Sequence, residues 1–338
     1  MTATIRNRLV PMASASSVAP GSTPETGFIL VLGGAHVDRR GRIQGETVIG
    51  ASNPGHWIEE AGGGAFNAAR NLSRLGHSVR MISPRGGDQA GDLVSSEAAA
   101  TGIDDRPIVF LDRATPSYTA ILDAAGDLVV ALADMDLYRL FSPRRLRVRA
   151  LRQSLADTDM VLCDANLPAE TLESLAKATN RLGKPLAAIA ISPAKVVRFR
   201  AALPHINMLF MNTAEAAALA GERPSTPEAW PALLRQCGLR GAVITDGKRP
   251  LIAYDAAGVA RLTPSPVENV ADVTGAGDAM AAGTLAGRLA GLSLDEALRM
   301  GTAASALTLQ SFGATAKNLT PEGVNAQLAL VPAAEILE

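Results

Sequence analysis

The residues best suited to do chemistry form one string, Asp272-Val273-Thr274-Gly275-Ala276-Gly277-Asp278-Ala279. A glycine-rich turn entering a helix aims several backbone N–H groups in one direction, and the positive end of the helix dipole adds to them. Such a turn holds an anion, for example a terminal phosphate. Asp278 falls within the first helical turn, beside that anion, where a carboxylate would repel phosphate rather than bind it. It suits a general base for a hydroxyl held between it and the phosphate. A lone GxGD also reads as an ordinary helix cap with an acid favouring the dipole; the full eight-residue string is more specific. No GxxxxGK[ST] loop and no complete GxGxxG fingerprint occur anywhere in the chain.

Three further groups have chemical potential. Asp38 follows the apolar run Gly27–Leu32 and the pair Gly33-Gly34, where the C-terminal edge of a sheet gathers ligands. A carboxylate there can accept hydrogen bonds from vicinal hydroxyls, although a simple turn aspartate reads the same way. Gly62 and Gly63 let the backbone approach a sugar closely, and Asn67 can both donate and accept; the competing reading is a helix cap. In Asn212-Thr213-Ala214-Glu215, Glu215 could hold Mg²⁺ through water and Asn212 could orient a phosphate oxygen. An ordinary exposed face of an Ala-rich helix explains that string equally well.

The elements that must position these groups follow from the hydrophobic pattern. Gly27–Leu32 reads as a buried parallel strand, Ala65–Leu75 as a helix stopped by Gly76, and Val79–Ser83 as a strand. Strands recur at Met160–Cys163, Leu186–Ile191, Met208–Met211 and Gly241–Thr245, with helical stretches between them. That alternation predicts a mainly parallel sheet with helices on both faces. Two polar inserts, about 39–61 and 106–137, interrupt it. The second holds three β-like pieces, Pro107–Leu111, Tyr118–Leu122 and Leu128–Leu132, the last two joined by a turn at Asp123–Asp127. The expectation is a three-layer α/β/α domain over 27–330, a small β-sheet lid built from both inserts, a disordered extension at 1–26 and a tail at 331–338.

Composition excludes several functions. Apolar residues make up 47 % of the 338 and charged residues 19 %, which suits a packed core rather than disorder. The net charge of −1 gives no global field for a phosphate backbone, so nucleic acid is not an expected partner. No apolar run approaches the roughly 20 residues of a membrane-spanning helix, so no membrane partner is expected. Cys163 and Cys237 form no CxxC, and His36, His56, His77 and His205 show no metal-ligand spacing.

DVTGAGDAM closely resembles the C-terminal signature of the ribokinase-like (PfkB) carbohydrate and nucleoside kinases. Gly62-Gly63-Gly64-Ala65-Phe66-Asn67-Ala68-Ala69 resembles their N-terminal glycine signature, Asn212-Thr213-Ala214-Glu215 their N-x-x-E, and Gly33-Gly34-Ala35-His36-Val37-Asp38 the segment holding a substrate-binding Asp. The four occur in the family's order over about residues 27–330. The resemblance implies a ribokinase-like fold and an ATP- and Mg²⁺-dependent kinase in which Asp278 is the base and Gly275, Ala276 and Gly277 stabilise the transferring group. Asp38, Gly62, Gly63, Asn67, Tyr118 and Asn166 would bind the acceptor. Asn212, Thr245, Gly247, Thr274, Gly275 and Gly277, with residues near Ala303–Leu307, would bind ATP. Glu215 would hold Mg²⁺ through water, and Asp272, Thr274 and Gly313 would surround a K⁺ ion, although Lys317 follows closely.

Finer strings resemble the pseudouridine kinase branch: Ser52-Asn53-Pro54-Gly55, Thr115-Pro116-Ser117-Tyr118, Leu122-Asp123 with Gly126, Ala133-Asp134-Met135-Asp136 and Cys163-Asp164-Ala165-Asn166-Leu167. They imply transfer to the 5′-hydroxyl of pseudouridine. Three departures from that branch, His36, Phe66 and Ile189-Ala190-Ile191-Ser192 before Lys195, fall where the base or sugar could be touched. Another acceptor (ribose, fructose or adenosine) and a non-catalytic binding relative therefore stay open. The lack of an export signal in the sequence and the need for ATP lead to the expectation of a cytoplasmic enzyme, and the lid's open strand edges suggest a homodimer.

Overall fold

The computed structural model describes residues 27–337; the expected extension at 1–26 lies outside the described residues. The first apolar run forms β1 (Ile29–Leu32), buried along its length. It is followed by β2 (His36–Ile43), β3 (Gly55–Gly62), α1 (Gly64–Arg74) and β4 (Val79–Ile82). Next come β5 (Pro84–Gly86), α2 (Gln89–Ala100), β6 (Asp104–Asp105), β7 (Ile108–Phe110), β8 (Ser117–Leu122) and β9 (Leu128–Asp134). The alternation then resumes with α3 (Arg149–Asp157), β10 (Met160–Asp164), α4 (Ala169–Arg181), β11 (Leu186–Ile189) and α5 (Pro193–Val196). It continues through β12 (Met208–Asn212), α6 (Thr213–Ala220), α7 (Trp230–Gln236) and β13 (Ala242–Asp246). The chain ends in the meander of β14 (Arg249–Tyr254) and β15 (Val259–Leu262), then α8 (Ala276–Leu289), α9 (Leu294–Leu309), α10 (Pro321–Leu328) and β16 (Glu335–Leu337).

Ten strands make the central sheet in the order β16-β15-β14-β13-β12-β11-β10-β1-β4-β6. The run from β13 to β6 is parallel, and β14, β15 and β16 add an antiparallel edge. Side chains alternate faces along a strand, so Ile29 and Val31 enter one core and Leu30 and Leu32 the other. Residues of α1, α8 and α9 close the first core and residues of α4 the second. Helices on both faces give the expected three layers.

The lid is a four-stranded sheet ordered β3-β2-β8-β9. The turn between β8 and β9 is fixed by the Asp123 carboxylate, which accepts from the Gly126 and Asp127 amides at 2.9 Å each. The structure corrects the expected lid in one respect. Of the three β-like pieces, only two join it. Ile108–Phe110 pairs instead with Pro84–Gly86 in a separate parallel ribbon. Its apolar pattern signals a strand but carries no information about the partner. The expected tail at 331–338 also changes character, because Glu335–Leu337 pairs with β15 at the sheet edge. Among the described residues, no helix is long and apolar enough to cross a membrane.

Candidate active site

A cavity of about 550 Å³ opens between the C-terminal edge of the central sheet and the lid. Asp278 lies in it, within the first turn of α8, whose entry is turned by Gly275 at φ 76°. That left-handed conformation favours glycine. A Cβ at Gly275 would also overlap the Ala314 carbonyl, so no side chain fits the turn. Gly275 and Gly277 line the cavity, and Ala276 does not. The Ala276 N–H turns back to the Val273 carbonyl at 3.4 Å. Two of the three expected amide donors thus belong to residues on the cavity wall, and the third closes the turn.

Asp278 keeps some contact with the cavity, but protein surrounds its carboxyl group. Burial pushes its pKa up to about 7. The Asn67 amide and Arg70 oppose that shift, while the negative charges of Asp164 and Glu215 reinforce it. Asn67 Nδ2 donates to Asp278 Oδ2 at 2.8 Å, and Arg70 Nη2 donates to Asn67 Oδ1 at 2.7 Å. The second bond fixes which end of the Asn67 amide faces Asp278. A carboxyl group that titrates near neutrality can take up a proton in one step and release it in the next.

Asp38, Gly63, Tyr118 and Asn166 also line the cavity, at the lid end. Gly62 lies just behind Asp38, where a side chain would collide with Asp38 Oδ2. Asn166 is held from two sides: its Nδ2 donates to Asp164 Oδ2 at 2.8 Å, and its Oδ1 accepts from Lys195 Nζ at 2.7 Å. At the opposite end lie Asn212, Glu215 and Thr245, beside the apolar side chains of Met211 and Val243. Asn212 and Thr245 are register partners on β12 and β13.

The Asn212–Glu215 string turns out to be a capping box. Asn212 Oδ1 accepts from the Ala214 and Glu215 amides at 2.9 Å, and Glu215 Oε2 accepts from the Asn212 amide at 2.7 Å. The box satisfies backbone donors at the start of α6 and points the acid at the cavity. Burial raises the Glu215 pKa, and the Asn212 amide opposes the rise.

Other expected residues sit elsewhere. Gly247 occupies the turn between β13 and β14, outside the cavity. Ala303, Ala304 and Leu307 are buried core residues of α9. Thr274 and Gly313 line a neighbouring cavity of about 430 Å³, which shares Asp38 and Tyr118 with the first. Asp272 is engaged: Oδ1 accepts from the Thr274 amide at 2.9 Å, and Oδ2 accepts from Arg40 of the lid at 3.2 Å. Burial works against its charge, but the Thr274 and Arg40 bonds outweigh burial and hold its pKa below the usual carboxylate range. Arg40 also pairs with Glu60 on the adjacent lid strand.

Of the three departures, His36, Ile191 and Lys195 reach the cavity, whereas Phe66 is fully buried beneath the Arg70 guanidinium, 4.8 Å from its ring centroid. Successive helical residues are rotated by about 100°, so Phe66 cannot face the way Asn67 does. Ile191 adopts φ 69°, rare for a β-branched residue. A Cβ on Gly64 would meet the Ile191 side chain on one side and Asp278 Oδ1, at 3.2 Å, on the other. An apolar group is thereby held close to the acid.

Sequence reasoning missed Asp164. It is fully buried and accepts four hydrogen bonds, from the Gly34 and Ala65 amides and from both nitrogens of Asn166. It ties together the turn after β1, the start of α1 and the loop after β10. Its place in the string around Cys163 was legible; its role as a hub was not.

Residues 28–321 match the family model described as pfkB family carbohydrate kinase. The chain is similar to the pseudouridine kinase of Escherichia coli (strain K12), with 27 % identity over 84 % of this chain and 91 % of the relative. It is 30 % identical to the ribokinase of Bacillus subtilis (strain 168) over 80 % of this chain and 87 % of that one. Among solved structures, a carbohydrate kinase from Agrobacterium tumefaciens superposes with a TM-score of 0.86 and 56 % identity, covering 92 % of this chain and 100 % of the other. A cavity at the sheet's C-terminal edge, closed by a lid and holding an acid at a glycine-turned helix start, is thus carried on a matching frame, and the chain belongs to the PfkB family of carbohydrate kinases.

Proposed function

We propose that the protein transfers the terminal phosphoryl group of ATP to the 5′-hydroxyl of pseudouridine, with Asp278 as general base. The observation that carries the reading is the single cavity that holds Asp278, the glycine turn and Asp38 together. One end offers a carboxylate for a sugar diol, and the other offers backbone donors for a phosphate. The lid strings and the 27 % identical relative named pseudouridine kinase support the choice of acceptor. His36, Ile191 and Lys195 at the acceptor end support a second reading, in which the pocket has drifted to another nucleoside or a plain sugar.

In this reading the acceptor lies between Asp38 and Asp278. Phosphoryl transfer through a loose transition state asks little of the base early, so Asp278 takes the proton late. The amides of Gly275 and Gly277 stabilise charge on the transferring group. Tyr118 and Met135 of the lid side wall the pocket and exclude water, which would compete as acceptor. Magnesium fits the residues present: it needs one or two carboxylates, its remaining positions being filled by water and phosphate oxygens. Glu215 lines the cavity and would hold it through water. When bound, the ion neutralises phosphate charge. The side-chain nitrogen of Asn212, Nδ2, has no protein partner among the described residues, its Oδ1 being taken by the Ala214 and Glu215 amides, and is available to a phosphate oxygen.

A potassium ion beside Asp272 would compete with Arg40, whose guanidinium already bonds one Asp272 oxygen while the Thr274 amide bonds the other. Equal turnover is expected in potassium and in tetramethylammonium buffers; a strong potassium requirement contradicts this account of the Arg40 pair. The outer lid strand β9 exposes Leu128, Val130 and Leu132 on one face beside an open edge, the place where two copies would pair as a homodimer. A sedimentation mass of one chain would discard that pairing. A cytoplasmic place belongs to the same proposal, since the reaction consumes ATP.

The deciding experiment measures ADP release against pseudouridine, uridine, adenosine, ribose and fructose. Pseudouridine is expected to give the highest kcat/KM. Preference for a free sugar would overturn the acceptor assignment, and no ADP with any acceptor would overturn the catalytic reading.

A further inference from the structure

We propose that Tyr138, acting through His36, is a positioning residue that presets Asp38 for the acceptor's hydroxyls without taking part in phosphoryl transfer. The inference rests on the reading of Asp38 as the acceptor's carboxylate. His36 and Asp38 are two residues apart on β2, so their side chains leave the same face of the strand. Both line the cavity. Tyr138 does not; it is buried in the short helical turn after β9, with 1 % of its surface exposed.

The three groups form a chain. The Tyr138 hydroxyl lies 3.0 Å from His36 Nδ1, and His36 Nε2 lies 3.3 Å from Asp38 Oδ1. The rings of Tyr138 and His36 meet edge-on, 6.2 Å between centroids. Burial holds the phenol pKa well above its usual value, so Tyr138 stays protonated. A buried hydroxyl hydrogen needs an acceptor. Among the described residues, the side chain within hydrogen-bond reach of the phenol oxygen is His36, through Nδ1. Donation from Tyr138 leaves Nδ1 unprotonated and places the imidazole proton on Nε2. The protonated nitrogen then lies 3.3 Å from Asp38 Oδ1, close enough for electrostatic attraction to bias the carboxylate. The other carboxylate oxygen lies against Gly62, where no side chain intrudes. Asp38 is therefore oriented before any acceptor arrives. A preset carboxylate lowers the ordering cost of binding and makes no bond to Asp278.

Tyr138→Phe deletes only the phenol oxygen. The test combines ¹⁵N NMR of the His36 ring at about pH 8, where neutral imidazole prevails in ordinary histidine, with steady-state kinetics using pseudouridine and ribose as acceptors. Wild-type His36 is expected to be the Nε2–H tautomer, and Tyr138→Phe to mix the two tautomers. The acceptor KM is expected to rise about 3–10-fold, the loss of one hydrogen bond. Both kcat and the KM for ATP should stay within about twofold, the margin a role outside the transfer step allows. In a His36→Gln background the side-chain amide supplies the N–H itself, so adding Tyr138→Phe should no longer change the acceptor KM. An Nδ1–H tautomer in the wild type would overturn the proposal. So would an unchanged acceptor KM in folded Tyr138→Phe, or a fall in kcat that matches the rise in KM. Absence of turnover with both acceptors in the wild type counts against the acceptor reading instead, and the nitrogen shifts alone then decide the tautomer assignment.

Discussion

Asp278→Asn is expected to lower kcat by about 10²–10⁴-fold, the range of a general base, while ATP binding measured by calorimetry stays intact. The same substitution should stabilise the protein. Burial raises the Asp278 pKa from 3.8 to about 7, so the fold favours the protonated acid. Below the unfolded value the wild type carries no penalty. As pH rises from 3.8 towards 7 the penalty grows, and above 7 it is complete, on the order of 4 kcal/mol at most. Asparagine carries no charge and escapes it. Chemical denaturation at pH 8 should therefore show Asp278→Asn as the more stable protein, with the gap closing as the buffer is made acid. A variant that keeps near-wild-type turnover would remove Asp278 from the mechanism. A variant less stable than wild type at pH 8 would contradict the buried-acid account.

Asp164→Asn should be nearly as damaging, through the scaffold. One Asp164 oxygen accepts from the Gly34 amide, the Ala65 amide and Asn166 Nδ2, and the other accepts from the Asn166 amide. An asparagine can satisfy only one of the two positions with oxygen. Its NH₂ group must face a donor in the other. Leaving buried donors unmet costs about 1–3 kcal/mol each, so a loss on the order of 3 kcal/mol in unfolding free energy is expected, read as a lower denaturant midpoint. Turnover should fall too, because Asn166 and the start of α1 with Asn67 lose their common anchor. The residual activity should titrate at lower pH than wild type, since the negative charge of Asp164 helps to raise the Asp278 pKa. An unchanged midpoint would show that the four bonds contribute little.

The pieces that line the candidate site were legible in the sequence because they are written in short contiguous strings. The glycine turn, the first turn of α8 and the capping box at Asn212 each depend on residues within a few positions of one another. The buried strands were legible for a similar reason, since a continuous apolar run has one physical reading in an alternating chain. What was not legible depends on contacts between distant segments. Asp164 meets Gly34 across 130 positions, Tyr138 meets His36 across 102 and Arg40 meets Asp272 across 232. No local pattern distinguishes these side chains from ordinary polar residues. Pro107–Leu111 shows the same limit in the backbone, because a strand's composition does not name its neighbour. At Phe66, motif spacing suggested a cavity position, and helix geometry turned the side chain into the core.

The pH dependence of kcat/KM for the acceptor, measured from about pH 5 to pH 9, tests the assignment of the base most directly. The wild type should show an acid limb centred near 7, falling about tenfold per pH unit below it as Asp278 is protonated. The residual activity of Asp278→Asn should lack that limb. A flat wild-type profile, or the same limb in both proteins, would show that another group titrates and that Asp278 is not the base.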